Sequence, residues 1–294
     1  MDAIKEFIAK DHPELGVQLD YYGVAGASKR GWTTWDVGAV DPTRVMAIVP
    51  IVLDAINFVD VEHHQWRSYG GWSWALNDYY EMNIMTRLDT PEMVLLQEEE
   101  DPFFYKHRLT MPKLVVNAVL DEFQQPATGI FEIVPAIGTW LEYLLERATV
   151  PTFSWTIDEA SGEIVATLDG EGSVHKASMW WAYSCGNNPD GVKRRDFRIM
   201  SLDSPCECGV DSDGYCINLK SFWTEEELSV TVDPGDGRYV AFFIDIKYEQ
   251  RKENLTGLPH DKPGQLEFTT EVSIWPNTFP YEDCKAESCA GQLL

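Results

Sequence analysis

The first half of this chain has no cysteine: all six lie in the second half, at 185, 206, 208, 216, 284 and 289. Any disulfide framework therefore belongs to the second half alone. Basic residues are also scarce, with 23 Lys and Arg against 48 Asp and Glu, a formal charge of −25. An excess of that size repels phosphate backbones and anionic lipid surfaces, so nucleic acid is not an expected partner. No run approaches the ~20 apolar residues of a membrane span, so no membrane insertion is expected. The opening MDAIKEFIAK is too charged for a signal peptide. If the protein is secreted, its export signal is absent from this chain. Internal repeats and low-complexity tracts are missing, and no histidine occurs between Asp121 and His175.

What is present suits a globular protein. At 294 residues and 44% hydrophobic content the chain can bury a large core, and the length favours two domains. Up to residue 149, apolar runs alternate with helical patterns: strand-like Leu19 to Ala25, helix Trp32 to Val40, strand-like Arg44 to Leu53, helices from 74 to 99, strand-like Lys113 to Leu120. Apolar positions Ile130, Ile133, Val134, Ile137, Trp140, Leu141, Leu144 and Leu145 then fall at helical spacing. That alternation predicts a parallel sheet, hence the α/β class. After Pro151 the pattern becomes strands alone: Phe153 to Ile157, Ile164 to Leu168, Ser178 to Tyr183, Leu228 to Val232, Tyr239 to Tyr248 and Leu266 to Ile274. This predicts an all-β, sandwich-like domain. The expected division is thus residues 1–149, α/β, and 150–294, cysteine-containing β.

Cys206 and Cys208 are too close to bridge each other comfortably and are expected to take different partners. An even count in one region predicts two or three disulfides among Cys185, Cys206, Cys208, Cys216, Cys284 and Cys289, and an oxidising compartment. Zinc is disfavoured because Cys-x-Cys-x7-Cys lacks the usual pair and His175 repeats no known spacing. Asp211-Ser212-Asp213-Gly214 places its glycine too early for a calcium loop and reads as a turn. No metal or cofactor is expected. Asn254-Leu255-Thr256 is a glycosylation sequon. The acidic runs Glu98 to Asp101 and Glu225 to Glu227 read as solvated faces.

Gly26-Ala27-Ser28-Lys29-Arg30-Gly31 follows a strand-like run and opens a helix-like one. A serine at such a turn reads as a nucleophile elbow, where small flanking residues permit strained backbone angles and the helix start favours developing negative charge. Ser28 is the candidate nucleophile, with the Lys29 amide as an oxyanion-hole donor. Asp121, directly after the run Leu114 to Leu120, is the candidate acid that orients a histidine, with adjacent Glu122 ranked second. As ordinary residues, Lys29 is a charged turn position and Asp121 a strand-end carboxylate. The aromatic group Trp66, Tyr69, Trp72, Trp74, Tyr79 and Tyr80 reads as a lid, a substrate wall or core.

Several stretches together carry a resemblance. They are Gly26 to Trp35, Arg44-Val45 with Ile48 to Pro50, Tyr69 to Ser73, Asp101-Pro102 with Tyr105, and Met111 to Leu114 leading to Asp121 to Phe123. Arg194 to Phe197, Phe268 to Val272, and Tyr281 to Cys284 with Cys289 continue it. The chain resembles the PhoPQ-activated pathogenicity-related family over nearly its whole length. The resemblance implies an α/β-hydrolase-like domain followed by a β-rich domain, with serine, acid and histidine in that order. It also leads to an expected Pro-Asn-x-x-His segment after the acid, but here Asp121 to Thr128 runs almost directly into the helix that begins near Ile130. With one predicted strand before the elbow, the chain reads as a family member lacking an N-terminal part and an internal segment of an incomplete hydrolase-like sheet. His12, His63, His64, His107, His175 and His260 are poor substitutes for the base. Two readings result. One is a secreted signalling or binding factor, catalytically impaired, with a cell-surface receptor as partner. The other is a serine hydrolase of peptide or ester substrates that uses Ser28 and Asp121, with its histidine missing from this chain.

Overall fold

The computed structural model describes residues 1–53, 56–117, 129–169, 172–185, 191–202, 206, 208–218, 223–228, 235–249 and 265–294. They fall into two compact units, one of residues 1–61 with 90–117 and one of residues 62–89 with 118–294. The class is mixed α/β, with a small parallel sheet in the first unit and small antiparallel sheets in the second.

The first unit begins with α1 (Asp2–Asp11), then β1 (Tyr22–Ala27), α2 (Lys29–Val40) and β2 (Val45–Ile51). β1 and β2 pair in parallel, and residues 113–116 add parallel bridges from Lys113 to Ile48 and from Val116 to Ile51. β2 is thus the middle segment, and its near-continuous apolar sequence is buried from Val45 to Pro50 except for half-buried Met46. Strands covered on both faces read this way, without alternation. α2 buries Thr34, Trp35, Gly38 and Ala39 on one face, and Trp35 and Ala39 join Val45, Ile48, Leu109 and Met111 in the core. That spacing follows the 3.6-residue turn.

Helix α3 (Phe58–Tyr69) is followed by α4 (Asn77–Glu81) and α5 (Pro91–Glu100), the last capped by the Thr90 hydroxyl, which accepts from the Met93 N–H. The acidic run that ends α5 is not uniformly solvated. Glu98, Glu99 and Glu100 are exposed, but Asp101 is 1% exposed and accepts from the N–H groups of Asn57, Phe58 and Phe103. Three backbone donors satisfy its charge inside the fold, which a run of like residues does not reveal.

Asp36 of α2 is half-buried, and burial, then the charges of Glu100 and Asp101, push its carboxyl up from 3.8 to about 6. Because the folded value is the higher one, the stability linked to this group is fully present below pH 3.8 and is lost as pH rises through about 6. Asp36→Asn should therefore raise stability at about pH 8 by roughly 1 kcal/mol, allowing for solvent screening of a partly exposed group. Below the unfolded value it should change almost nothing. Urea unfolding at the two pH values checks this.

The second unit contains α6 (Gly129–Leu145) and then the strands β3 (Thr152–Ile157), β4 (Ile164–Asp169), β5 (Val174–Tyr183), β6 (Met200–Ser201), β7 (Gly209–Ser212), β8 (Tyr215–Asn218), β9 (Thr224–Glu226), β10 (Val240–Tyr248), β11 (Glu267–Thr269) and β12 (Ser273–Trp275), with a short 3₁₀ helix at Ala286–Ala290 after the last. β3 and β4 form a hairpin, β6-β8-β7 a three-stranded sheet, and β11-β10-β5-β9 a larger one in which β12 also pairs with β10. The expected strand Leu266 to Ile274 is interrupted. Thr270 places its own Oγ1 on the Ile244 N–H at 3.0 Å, so a hydroxyl takes the place of a ladder carbonyl between β11 and β12. Of the expected strand Leu228 to Val232 only Leu228 lies within the described residues, and the strand beside β5 is β9, just upstream.

All six cysteines are paired, Cys185 with Cys208, Cys206 with Cys216 and Cys284 with Cys289. Cys206 and Cys208 do take different partners. Asp213 (φ 49°) and Gly214 (φ 87°) make the two-residue turn of the β7–β8 hairpin. Two successive left-handed residues suit the right-handed twist of paired strands, so this acidic stretch is a turn.

Candidate active site

Ser28 stands alone between the last residue of β1 and the first of α2, at φ 54° and ψ −127°. A non-glycine residue held there stores about 1–3 kcal/mol of backbone strain, which the surroundings must enforce. They do so through hydrogen bonds. The Ser28 N–H donates to the Ile51 carbonyl at 3.0 Å, and its own carbonyl accepts from Gly31 at 2.7 Å and Trp32 at 3.2 Å. The helix therefore starts at Lys29, three residues before the first expected helical position. Both glycines of the hexapeptide are close-approach residues. A Cβ on Gly26 would lie 2.5 Å from the Arg30 carbonyl oxygen, and one on Gly31 would lie 2.8 Å from that of Ile51. Backbone cannot yield as a side-chain tip can, so Gly31→Ala should cost about 1–3 kcal/mol in urea unfolding.

The Ser28 side chain is exposed, and its hydroxyl makes no hydrogen bond among the described residues. Neither the Lys29 nor the Arg30 N–H donates to a backbone carbonyl there, as expected for the first turn of a helix. These amides lie at the positive end of α2 and are free to meet an oxyanion.

Two further features mark the carboxyl ends of the parallel segments. Val52, just past β2, has φ 44°, an outlier for a β-branched residue, and its N–H donates to the Val116 carbonyl at 2.7 Å. Asn117 offers its Oδ1 to the Leu53 N–H at 3.2 Å. Neither carried a signal in the sequence, since valine is not a turn former and the asparagine lies inside an apolar run.

Asp121 and Glu122 lie outside the described residues, as do His260 and Asn254. In the first unit, His12 Nδ1 contacts Glu14, and His107 is an exposed residue of the 3₁₀ helix Pro102–Arg108. In the second, His63 is held by Asp283 at 2.8 Å and Asp89 at 3.2 Å, His64 packs edge-on against Phe279, and His175 contacts Glu249. Burial and the charges of Arg195 and Arg67 hold His64 below its ordinary pKa.

His63, Asp283 and Cys284 come close enough to suggest a metal centre. They do not fit one, because the Cys284 sulfur is bonded to Cys289 and both ring nitrogens of His63 already face carboxylates. Within the aromatic group Trp72 is buried, and Trp66, Tyr69, Trp74, Tyr79 and Tyr80 are half-buried. Trp72 is fully buried and donates its indole N–H to the Cys289 carbonyl, Trp66 packs 5.3 Å from it, and the Tyr80 hydroxyl reaches Gly291.

Compared with known proteins, residues 1–131, which hold the whole elbow, match the PhoPQ-activated pathogenicity-related protein family. Over these residues the chain is similar to that family. The chain is also 33% identical, over 99% of its length, to autocrine proliferation repressor protein A of Dictyostelium discoideum. It spans 62% of that relative's length. No solved structure matches. The PhoPQ-related resemblance beyond residue 131 includes Arg194, Arg195, Asp196 and Phe197, all buried in the second unit.

Proposed function

We propose that this chain is a secreted regulatory factor of the PhoPQ-related family that restrains cell proliferation through a cell-surface receptor, with its hydrolase-like chemistry impaired. The observation that carries this reading is the 33% identity, over almost the whole chain, to a protein named for autocrine repression of proliferation. Three disulfides fit an oxidising compartment, and no helix among the described residues is long and apolar enough to cross a membrane. A glycan on Asn254 would fit the same setting. In this reading residues 1–149 are the hydrolase-like part, an incomplete α/β-hydrolase sheet, and residues 150–294 the disulfide-bonded β part.

A second reading, a serine hydrolase of peptides or esters, is favoured by the backbone of Ser28. Strain of this kind at an exposed serine before a helix is the geometry that acyl transfer uses. Asp121 would orient the base and the Lys29 amide would hold the oxyanion. Adding purified chain to proliferating cells of its source separates the two. Growth should slow equally with the parent chain and with Ser28→Ala. Slowing by the parent alone would favour the hydrolase.

A further inference from the structure

In the second unit, a small pocket of about 160 Å3 is lined by Arg195, Asn277, Glu159 and Glu271. Arg195 is 9% exposed and makes no ion pair among the described residues. Its Nη1 donates only to neutral oxygens, Asn277 Oδ1 and the Thr278 carbonyl, each at 3.3 Å, and its Nε–H has no partner among the described residues. The guanidinium is nonetheless held in place. It lies 4.7 Å from the centroid of the Phe279 ring, which also carries Arg67 at 4.0 Å, and the Arg195 main-chain N–H is fixed on the Ser68 carbonyl. A buried guanidinium with an unmade hydrogen bond and no carboxylate within ion-pair distance among the described residues is costly unless something else supplies an anion in contact with it.

The rest of the lining narrows what that anion is. Glu159, which is hydrogen-bonded by the Asn277 amide, and Glu271 are both exposed acids at the same pocket. A bare anion entering there meets two like charges, whereas a ligand with an ammonium next to its carboxylate meets complementary groups at both ends. A planar guanidinium fork matches a carboxylate, and the glutamates match the ammonium. At ~30 Å3 per water, the pocket has room for roughly five waters, so the ligand has few heavy atoms. We propose that this pocket binds a small zwitterion, a free α-amino acid with a short side chain, its carboxylate on Arg195 and its ammonium on Glu159 and Glu271.

Chemical-shift titration of the Arg195 and Asn277 amides in the 294-residue chain, with L-alanine as the probe, tests this. Saturable shifts are expected with alanine, and affinity at least about tenfold weaker for acetate or ethylammonium given alone. Glu159→Gln, at an exposed position, should weaken alanine binding by a similar factor, and Arg195→Lys should weaken it further. Equal affinity for acetate and alanine would reduce the pocket to a simple anion site and overturn the proposal. So would unchanged alanine binding in Glu159→Gln, or the absence of saturable shifts in the parent chain.

Discussion

A fluorophosphonate probe should leave Ser28 essentially unlabelled in the 294-residue chain, and ester or peptide turnover should be negligible. Ser28 holds strained backbone angles at the strand-to-helix turn, its side chain is exposed, and Lys29 and Arg30 follow it at the start of α2. A serine hydroxyl still needs a base to take its proton, because at neutral pH its own acidity is far too low for attack. In a serine–histidine–acid site, loss of any member leaves only the ~10³–10⁴ acceleration over water that binding and the oxyanion hole supply. No Pro-Asn-x-x-His segment follows Asp121, and the histidines of known placement have other neighbours, Glu14, Asp89, Asp283, Phe279 and Glu249 among them. Ser28→Ala should accordingly change neither labelling nor turnover. Strong labelling that vanishes in Ser28→Ala would restore the hydrolase reading, and with it the need for a base not found among the described residues.

Local chemistry made the elbow legible. Gly26 and Gly31 are forced by carbonyls closer than 3 Å to where a side chain would begin, so the hexapeptide itself records the geometry. The β7–β8 turn and the separate partners of Cys206 and Cys208 were legible for the same reason, since each follows from distances along a few residues. What escaped depended on residues distant in sequence. Asp101 looks like the end of a solvated run until Asn57 and Phe58 bring their amides to it. Val52 is strained by its place between the carboxyl ends of neighbouring segments, and nothing in its residue type announces that. Residues 62–89 follow the first parallel strands in sequence yet pack with the β-rich remainder, a partition that alternation of strands and helices cannot encode. Thr270 breaks a run of strand-forming residues through one hydroxyl on the Ile244 amide.

The largest loss of stability should come from the Arg194 to Phe197 stretch and the residue after it, which the fold uses as structure. The Arg198 side chain is fully enclosed, and Asp196 is 7% exposed. The carboxylate accepts from Arg198 Nη2 at 2.6 Å, from its Nε at 3.0 and 3.2 Å, and from its main-chain N–H at 3.0 Å. The guanidinium also donates to the main-chain oxygen of Leu294 at 3.0 Å and lies 4.4 Å from the centroid of the Tyr69 ring. Both charges have left water, and their attraction offsets that desolvation only while the pair is whole. Asp196→Ala removes the carboxylate from Nε and Nη2 and leaves the cation enclosed, which should cost about 3–5 kcal/mol. Asp196→Leu combined with Arg198→Met removes both charges and keeps apolar volume, and should come within ~1–2 kcal/mol of the parent, on either side. Urea unfolding of the three proteins decides the matter through the difference between the single and the double variant. If the double variant were as unstable as Asp196→Ala, packing and the tie to Leu294 would be the dominant contribution, and the ion pair would not be.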